Sequence, residues 1–272
     1  MSKRGFKGGI DLHQDPALHL RGIDNYKKVE NIQPKKVYIP VQQHIGEPAE
    51  VIVSVGEKVF LGQTIAKIDE GLGANVHASI SGKIIGIQEI DQGQGDKMTC
   101  VIIENDFRDE PQEIHHETID DLTPEMIVDR VESAGVVGLG GATFPSHVKL
   151  NPKEDIHTCI FNGAECEPLL MSDAALMATQ GEKLIKGCEL VLKAVAAKEG
   201  IIAIEDDKQE AIEVMQILCH DISNLSVIEV PSIYPQGSTE MLFTVITGKE
   251  APADGSTCLL YTSPSPRDLS TS

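Results

Sequence analysis

The sequence predicts an α/β protein in two parts, a β-rich N-terminal domain followed by a parallel α/β domain. Between about residues 37 and 103, short runs of β-branched residues alternate with turn glycines, which is typical of strands. From about residue 123, apolar residues recur with a helical period and alternate with short apolar strands. A length of 272 residues suits two domains. We place them at 1-104 and 123-256, joined by an acidic linker at 105-122.

The β-rich domain is predicted from two related stretches, 51–68 and 77–87, with turn glycines at Gly56 and Gly62. Their pattern resembles the biotinyl/lipoyl-like barrel-sandwich hybrid. Biotin and lipoate carriers of this type bear a modified lysine at a hairpin tip. Residues 69–75 stand at that tip and contain no lysine, so an unmodified structural domain is favoured over a swinging arm.

The excess of acidic over basic residues limits the classes of molecule that the protein is expected to bind. The formal net charge is −19, which repels nucleic-acid phosphates and anionic lipid headgroups, and aromatic residues make up only 4%. Nucleic acid is therefore not expected as a partner. Eight carboxylates against the single Arg108 lie between Glu104 and Asp121, and a solvated linker is favoured there over a docking patch.

The second domain is predicted element by element. Thr123 can cap a helix that has Pro124 at its first position, and Gly135 is expected to end it. The following strands and helices alternate, which favours a parallel sheet. In chain order we predict a strand at 158–161, a helix over 184–195 ending at Gly200, a strand at 201–204, a helix at 209–220, a strand at 227–230 and a helix at 239–246.

The last residues, 257-272, lack the pattern of the preceding chain. They resemble translated sequencing-adapter read-through, and we exclude them from the fold prediction, with a natural Ser/Pro-rich tail as the alternative. The N-terminus does not resemble a signal peptide, and no apolar run approaches the ~20 residues of a membrane helix. The six cysteines form no C-x-x-C pair, so a cytoplasmic protein without a metal site is expected.

A glycine-rich segment between Gly135 and Lys149 is the first candidate for binding. Gly138, Gly140 and Gly141 allow backbone N–H groups to approach a phosphate or an isoalloxazine ring, and Lys149 adds a positive charge. The segment follows a helix and lacks the third glycine of the dinucleotide-binding fingerprint. A purely structural turn therefore stays open on this segment alone.

A second candidate segment follows the strand at 158–161. Asn162, Glu165 and Glu167 come at the carboxyl end of a parallel strand, where open α/β sheets bind ligands. Their amide and carboxylate groups can pair with a flavin ring edge or a ribose diol. The alternatives are carboxylates that stabilise a helix start and an acid/base pair. We predict no catalytic side chain, because hydride transfer between nicotinamide and flavin needs no protein nucleophile.

Together the two segments resemble the C subunit of Rnf complexes. The motifs are G-L-G-G-A-T-F-P-x-H-V-K and N-G-A-E-C-E-P, and the resemblance extends over nearly all of residues 5–256. Rnf complexes are membrane-bound assemblies that pass electrons between reduced ferredoxin and NAD, coupled to ion pumping. A wider similarity includes the NADH-binding flavoprotein subunit of respiratory complex I.

The resemblance implies a Rossmann-like parallel α/β FMN/NADH-binding domain after the barrel-sandwich domain, with FMN and NAD(H) as cofactors. It implies that Gly138, Gly140, Gly141 and Lys149 cradle FMN, that Asn162 and Glu165 hold the flavin, that Phe144 stacks near the nicotinamide or adenine, and that Glu167 lies beside NADH. Asp207 stands where the family usually has Asn, and Thr239 where it usually has Glu. Neither Asp207 nor Glu240 is therefore predicted as a ligand.

The resemblance also implies an oxidoreductase subunit whose partners are NADH and the other membrane subunits of the Rnf complex. Its expected location is peripheral, on the cytoplasmic face of the inner membrane. The [4Fe-4S] clusters of the family are expected only in a C-terminal part that this sequence lacks. Two alternatives stay open: a related cobalamin-reductase-type flavoprotein of a microcompartment, and a non-enzymatic fragment.

Overall fold

The structure is a computed structural model that describes residues 10–11, 32–91, 97–113, 117–138, 143–153, 155–165, 170–250 and 259–261. The chain divides into two compact units. The β unit contains the described residues between 32 and 137 and between 143 and 148. The α/β unit contains Gly138 and the described residues from 149 onward, together with residues 10 and 11.

The helices and strands of the described residues are numbered along the chain. The strands are β1 (Ile10–Asp11), β2 (Lys36–Pro40), β3 (Glu50–Val51), β4 (Lys58–Val59), β5 (Thr64–Lys67), β6 (Val76–His77), β7 (Gly82–Asp91), β8 (Lys97–Asn105), β9 (Thr158–Gly163), β10 (Glu199–Glu205), β11 (Leu225–Val230), β12 (Ile233–Tyr234) and β13 (Leu259–Tyr261). The α-helices are α1 (Pro124–Ser133), α2 (Ser146–Lys149), α3 (Ser172–Ala194), α4 (Gln209–Cys219) and α5 (Thr239–Thr247), and Ile119–Asp121 is a 3-10 helix.

The β unit is built from two small antiparallel sheets, ordered β2-β8-β7-β4 and β3-β5-β6. The first six residues of β7 are alternately buried and exposed, and apolar side chains from both sheets fill one core. Because strands and turn glycines alternate as the sequence predicts, the β-rich first domain is confirmed. The buried core residues are Ile39, Val41, Ala49, Val53, Val59, Ile65, Ala66, Val76, Ala78, Ile80, Ile84, Val101 and Ile103.

The first part of the predicted linker is attached to the β unit. The Ser81 hydroxyl donates to Asp106 Oδ1 over 2.6 Å, and this hydrogen bond is the main cause that lowers the pKa of Asp106. Leu61 N donates to Glu110 O, and Gln112 N donates to Leu61 O, each over 2.8 Å. The carboxylate-rich composition did not reveal these contacts, because they depend on residues far away in the sequence.

Helix α1 begins and ends as the sequence predicts. The Thr123 side chain accepts a hydrogen bond from Met126 N over 3.2 Å, and Pro124 occupies the first helical position. Gly135 follows the C-cap residue with φ +62°. Thr123 thus supplies a partner for an N–H group at the start of α1, and Gly135 ends the helix with a backbone conformation that favours glycine.

Replacing Thr123 with Ala is expected to lower the free energy of unfolding by about 1 kcal/mol, because Met126 N loses its capping partner. Urea unfolding monitored by circular dichroism measures this loss. Thr244→Ala is the matched control, since the Thr244 hydroxyl donates only to Glu240 O within its own helix. Equal losses in the two variants would contradict a capping role for Thr123.

The α/β unit contains a fully parallel sheet in the order β11-β10-β9-β13. Helices α3 and α4 pack against each other, α3 contacts β9 and β10, and α4 contacts β11. Leu242 and Val245 of α5 pack in a buried cluster with Ile160 of β9 and Ala203 of β10. A Cβ at Gly163 would lie 3.1 Å from Met177 Sδ, so Gly163 is on the face of the sheet that α3 covers. Since successive residues of a strand point to opposite faces, Ile160 and Asn162 point to the other face, which α5 covers.

The bounds predicted for the helix before β10 are wrong at both ends. Helix α3 begins twelve residues earlier than 184, at Ser172, and is kinked at Gln180, which has φ −128°. It ends at Ala194, and Ala196 has φ +52°. Gly200 is the second residue of β10 and does not end the helix. A Cβ at Gly200 would lie 2.9 Å from Phe161 Cε2, so packing across the sheet explains this glycine better than helix termination.

The edge strand β13 comes from the segment that the sequence interpretation excluded from the fold. Its backbone pairs in parallel with β9, with Leu259 opposite Ile160 and Tyr261 opposite Asn162. A strand therefore forms where the prediction had none. The origin of residues 257–272 stays a prediction.

Candidate functional site

The carboxyl ends of β9, β10 and β11 lie side by side at one edge of the parallel sheet. The register pairs Ala203 with Asn162 and Glu205 with Val230, so the chain leaves all three strands at about the same level. Loops at this edge form the ligand crevice of open α/β sheets. The polar residues of these loops are therefore the candidate site.

Asn162 is buried at this edge and joins two loops. Its side chain is only 1% exposed. The Nδ2 group donates to Gly237 O over 2.9 Å, and Oδ1 accepts from Ala164 N over 3.0 Å. The amide thereby fixes the turn after β9 against the loop before α5.

Glu165 lies three residues further on and contacts the start of α3. Its side chain is 5% exposed, and its carboxylate accepts hydrogen bonds from Ser172 Oγ at 3.1 Å, Asp173 N at 2.9 Å and Ala174 N at 3.4 Å. These bonds satisfy N–H groups that have no partner within the helix and place negative charge at its positive end. The contacts are those of a carboxylate at a helix start. A contact between Glu165 and flavin stays a prediction.

Glu205 is a site residue that the sequence reasoning missed. It is the last residue of β10, is 5% exposed, and accepts a hydrogen bond from Glu165 N over 3.1 Å. Burial, and then the nearby charge of Asp207, raise the pKa of Glu205 to about 8, although Lys208 opposes this. Its position at the carboxyl end of a predicted strand was the available signal, as it was for Asn162.

Gln236 is buried in the loop between β12 and α5, next to the glycine that Asn162 holds. The side chain is fully buried, and neither its amide nitrogen nor its amide oxygen has a hydrogen-bond partner in the part of the chain that the structure describes. An unpaired buried amide costs about 1–3 kcal/mol. A bound polar ligand could offset that cost.

The glycine-rich segment is described only at its two ends. Gly138 is half-buried in the α/β unit, whereas Gly140 and Gly141 lie outside the described residues. Phe144 is half-buried in the β unit. Lys149 is half-buried at the end of α2, and Glu167 lies outside the described residues.

Among the described residues, no group of three or more His, Cys, Asp or Glu side chains could hold a metal ion. None of the helices in the described ranges is long and apolar enough to cross a membrane.

Two family models match the chain. Residues 4–108 match the RnfC barrel sandwich hybrid domain, and residues 131–260 match the Nuo51 FMN-binding domain. The first match contains most of the β unit, and the second contains the carboxyl-edge residues Asn162, Glu165, Glu205 and Gln236. The α/β fold with a barrel-sandwich first domain is therefore confirmed.

Curated relatives show the same similarity. The chain is 41% identical to the C subunit of the Na(+)-translocating ferredoxin:NAD(+) oxidoreductase complex of Acetobacterium woodii, over 91% of this chain and 56% of the relative. It is 39% identical to the C subunit of the proton-translocating ferredoxin:NAD(+) oxidoreductase complex of Clostridium ljungdahlii, over 93% and 55%. The chain thus spans about half the length of the curated relatives it matches.

A solved structure of an NAD+-reducing [NiFe]-hydrogenase is 26% identical, with a TM-score of 0.45, and the match covers 49% of this chain and 25% of that chain. The family models and the curated relatives carry this similarity. The resemblance that the glycine-rich and Asn-Gly-Ala-Glu motifs predict is confirmed: the chain is similar to the C subunits of Rnf-type complexes over 91–93% of its own length.

Proposed function

We propose that this chain is the FMN- and NADH-binding part of a subunit in an Rnf-type complex, which passes electrons between ferredoxin and NAD coupled to ion translocation. The match of residues 131–260 to an FMN-binding domain carries the proposal. The names of the curated relatives support the electron donor and acceptor. NAD(H) and the membrane subunits of the complex are proposed as partners, with the protein peripheral on the cytoplasmic face of the membrane.

The side chains at the carboxyl edge of the sheet offer hydrogen-bond donors and acceptors that suit a flavin. The fully buried Gln236 amide has two polar atoms without described partners. Below its raised pKa, Glu205 carries a proton, so it adds no negative charge beside an anionic cofactor. Gly138, Gly140, Gly141 and Lys149 are proposed to hold the phosphate and ring, and Phe144 and Glu167 to lie near NADH.

FMN held by these residues would supply the redox chemistry, namely two-electron hydride exchange with NADH and one-electron exchange with iron–sulfur clusters. The residues of this chain bind and orient the ring and exclude water. The [4Fe-4S] clusters are proposed for a part of the protein beyond this sequence.

FMN titration tests the proposal. The purified chain is expected to bind FMN and shift its absorbance bands, and Gly140→Val is expected to weaken binding by at least about tenfold, because a side chain there blocks backbone approach to the cofactor. Gly187→Val in α3 is the matched control, since a Cβ at Gly187 meets nothing within 4 Å.

Two outcomes would count against the proposal. If the wild-type chain binds no FMN and does not quench NADH fluorescence, the chain is not the cofactor-binding part. If Gly187→Val weakens FMN binding as much as Gly140→Val does, the glycine-rich segment has no specific role.

A further inference from the structure

The hairpin tip of the β unit contacts the end of α1. Asn75, the last residue of the tip, accepts a hydrogen bond from Ile68 N through Oδ1 over 3.0 Å. Its Nδ2 group donates to Ser133 O over 3.2 Å. One side chain therefore ties the base of the hairpin to the last residue of the helix that precedes the glycine-rich segment.

Gly135 brings the two backbones into direct contact at the same place. It has φ +62°, and a Cβ built on it would lie 2.0 Å from Asn75 O and 3.2 Å from His77 Cε1. No other amino acid fits this approach without moving the hairpin. The His77 ring is held in turn by a 3.1 Å contact between its Nε2 and Thr64 Oγ1.

The chain on the two sides of the glycine-rich loop (Gly138–Gly141) is joined just beyond this contact. Ser146 N donates to Val136 O over 2.9 Å, and Val137 forms an antiparallel bridge with Pro145. On the returning side, Ile45 N donates to Thr143 O over 3.3 Å. Both flanks of the loop are therefore held within the β unit, one at the hairpin tip and the other at Ile45.

We propose that residues 69–75 form a clamp that, through Asn75 and Gly135, holds the end of α1 and the described flanks of the glycine-rich loop, Val136–Val137 and Thr143–Ser146, and that FMN affinity depends on this clamp. The carrier proteins that the β unit resembles place a modified lysine at this tip, and here the tip holds a neighbouring helix end instead. Asn75 and Gly135 are positioning residues, because they act on these flanks and not on the cofactor. The inference rests on the proposed FMN function.

Two variants of the full chain test the clamp. Asn75→Asp keeps the acceptor for Ile68 N but replaces the donor to Ser133 O with a second oxygen. Gly135→Ala places a methyl group against Asn75 O. Each variant is expected to raise the FMN dissociation constant by about tenfold, and to speed hydrogen exchange of the backbone amides of residues 136, 137, 143, 144 and 146.

Gly62→Ala is the control for Gly135→Ala. Gly62 also has positive φ, +84°, but a Cβ there meets nothing within 4 Å. Gly62→Ala should lower the melting temperature without changing FMN affinity or the exchange of these amides. If Asn75→Asp and Gly135→Ala bind FMN like Gly62→Ala and exchange like wild type, the clamp is wrong.

Hydrogen exchange separates this failure from failure of the proposed function. A wild-type chain that binds no FMN overturns the proposed function alone. Faster exchange of the amides of residues 136, 137, 143, 144 and 146 in Asn75→Asp would then still support a clamp on the flanks of the loop, and unchanged exchange would overturn it.

Discussion

Glu205→Gln is expected to give a protein that is more stable than the wild type at alkaline pH, with an advantage that grows as the pH rises from about 4.5 to about 8. The Glu205 carboxyl is buried at the end of β10 and accepts a hydrogen bond from Glu165 N. Glutamine has the same shape and keeps an acceptor for that N–H group. It has no proton to lose, so burial does not penalise it at high pH.

The sign follows from where the proton is held. In the folded protein the Glu205 carboxyl has a pKa of about 8, against an ordinary value of 4.5. Between these values the folded state keeps a proton that the unfolded chain has released, so stability is full below about pH 4.5 and falls as pH rises. The largest slope from one such group is about 1.4 kcal/mol per pH unit.

Urea unfolding at pH 5, 7 and 9 measures the effect. The unfolding free energies of wild type and Glu205→Gln should be similar at pH 5 and should differ by several kcal/mol at pH 9. Glu213→Gln, which changes an exposed carboxylate on α4, should track the wild type at every pH. A constant difference between Glu205→Gln and wild type would show that Glu205 is not held in its protonated form by burial.

The elements with strong local signals could be predicted from the sequence. Thr123, Pro124 and Gly135 bound α1 by chemistry that acts within a few residues, and the short apolar strands form as expected. The first half of α3 could not be predicted in this way. It contains a non-helical residue at Gln180, followed by Gly181, and a Cβ at Gly181 would lie 2.6 Å from Leu218 Cδ1 of α4. Packing between helices allows this irregular start.

The position of the candidate site could be predicted from the sequence, but the hydrogen-bond partners of its side chains could not. The rule that ligands bind at the carboxyl edge of a parallel sheet identified Asn162 and Glu165, and applied to the next strand it would also have identified Glu205. The contact between Asn162 and Gly237 spans 75 residues of sequence. No local pattern shows that the amide holds a distant loop. The same limit applies to Gly135, whose role as a helix stop was predicted while its contact with Asn75 was not.

Asn162→Ala is expected to lower the free energy of unfolding by about 3 kcal/mol, because it leaves two buried backbone groups, Gly237 O and Ala164 N, without their partner. Asn162→Asp retains the acceptor for Ala164 N but turns an oxygen toward Gly237 O. It is expected to separate the two loops while keeping the turn after β9.

Parallel measurements on these variants distinguish a structural amide from a flavin ligand. Urea unfolding reports the loss of stability, with Asn224→Ala, an exposed amide before β11, as the control for a simple truncation. FMN titration reports the site. If Asn162 positions Gln236 and Gly237 for the cofactor, FMN affinity should fall in both Asn162 variants at temperatures where they remain folded. Unchanged FMN affinity in a folded Asn162→Asp protein would confine Asn162 to holding the loops together and leave the cofactor to other residues at this edge.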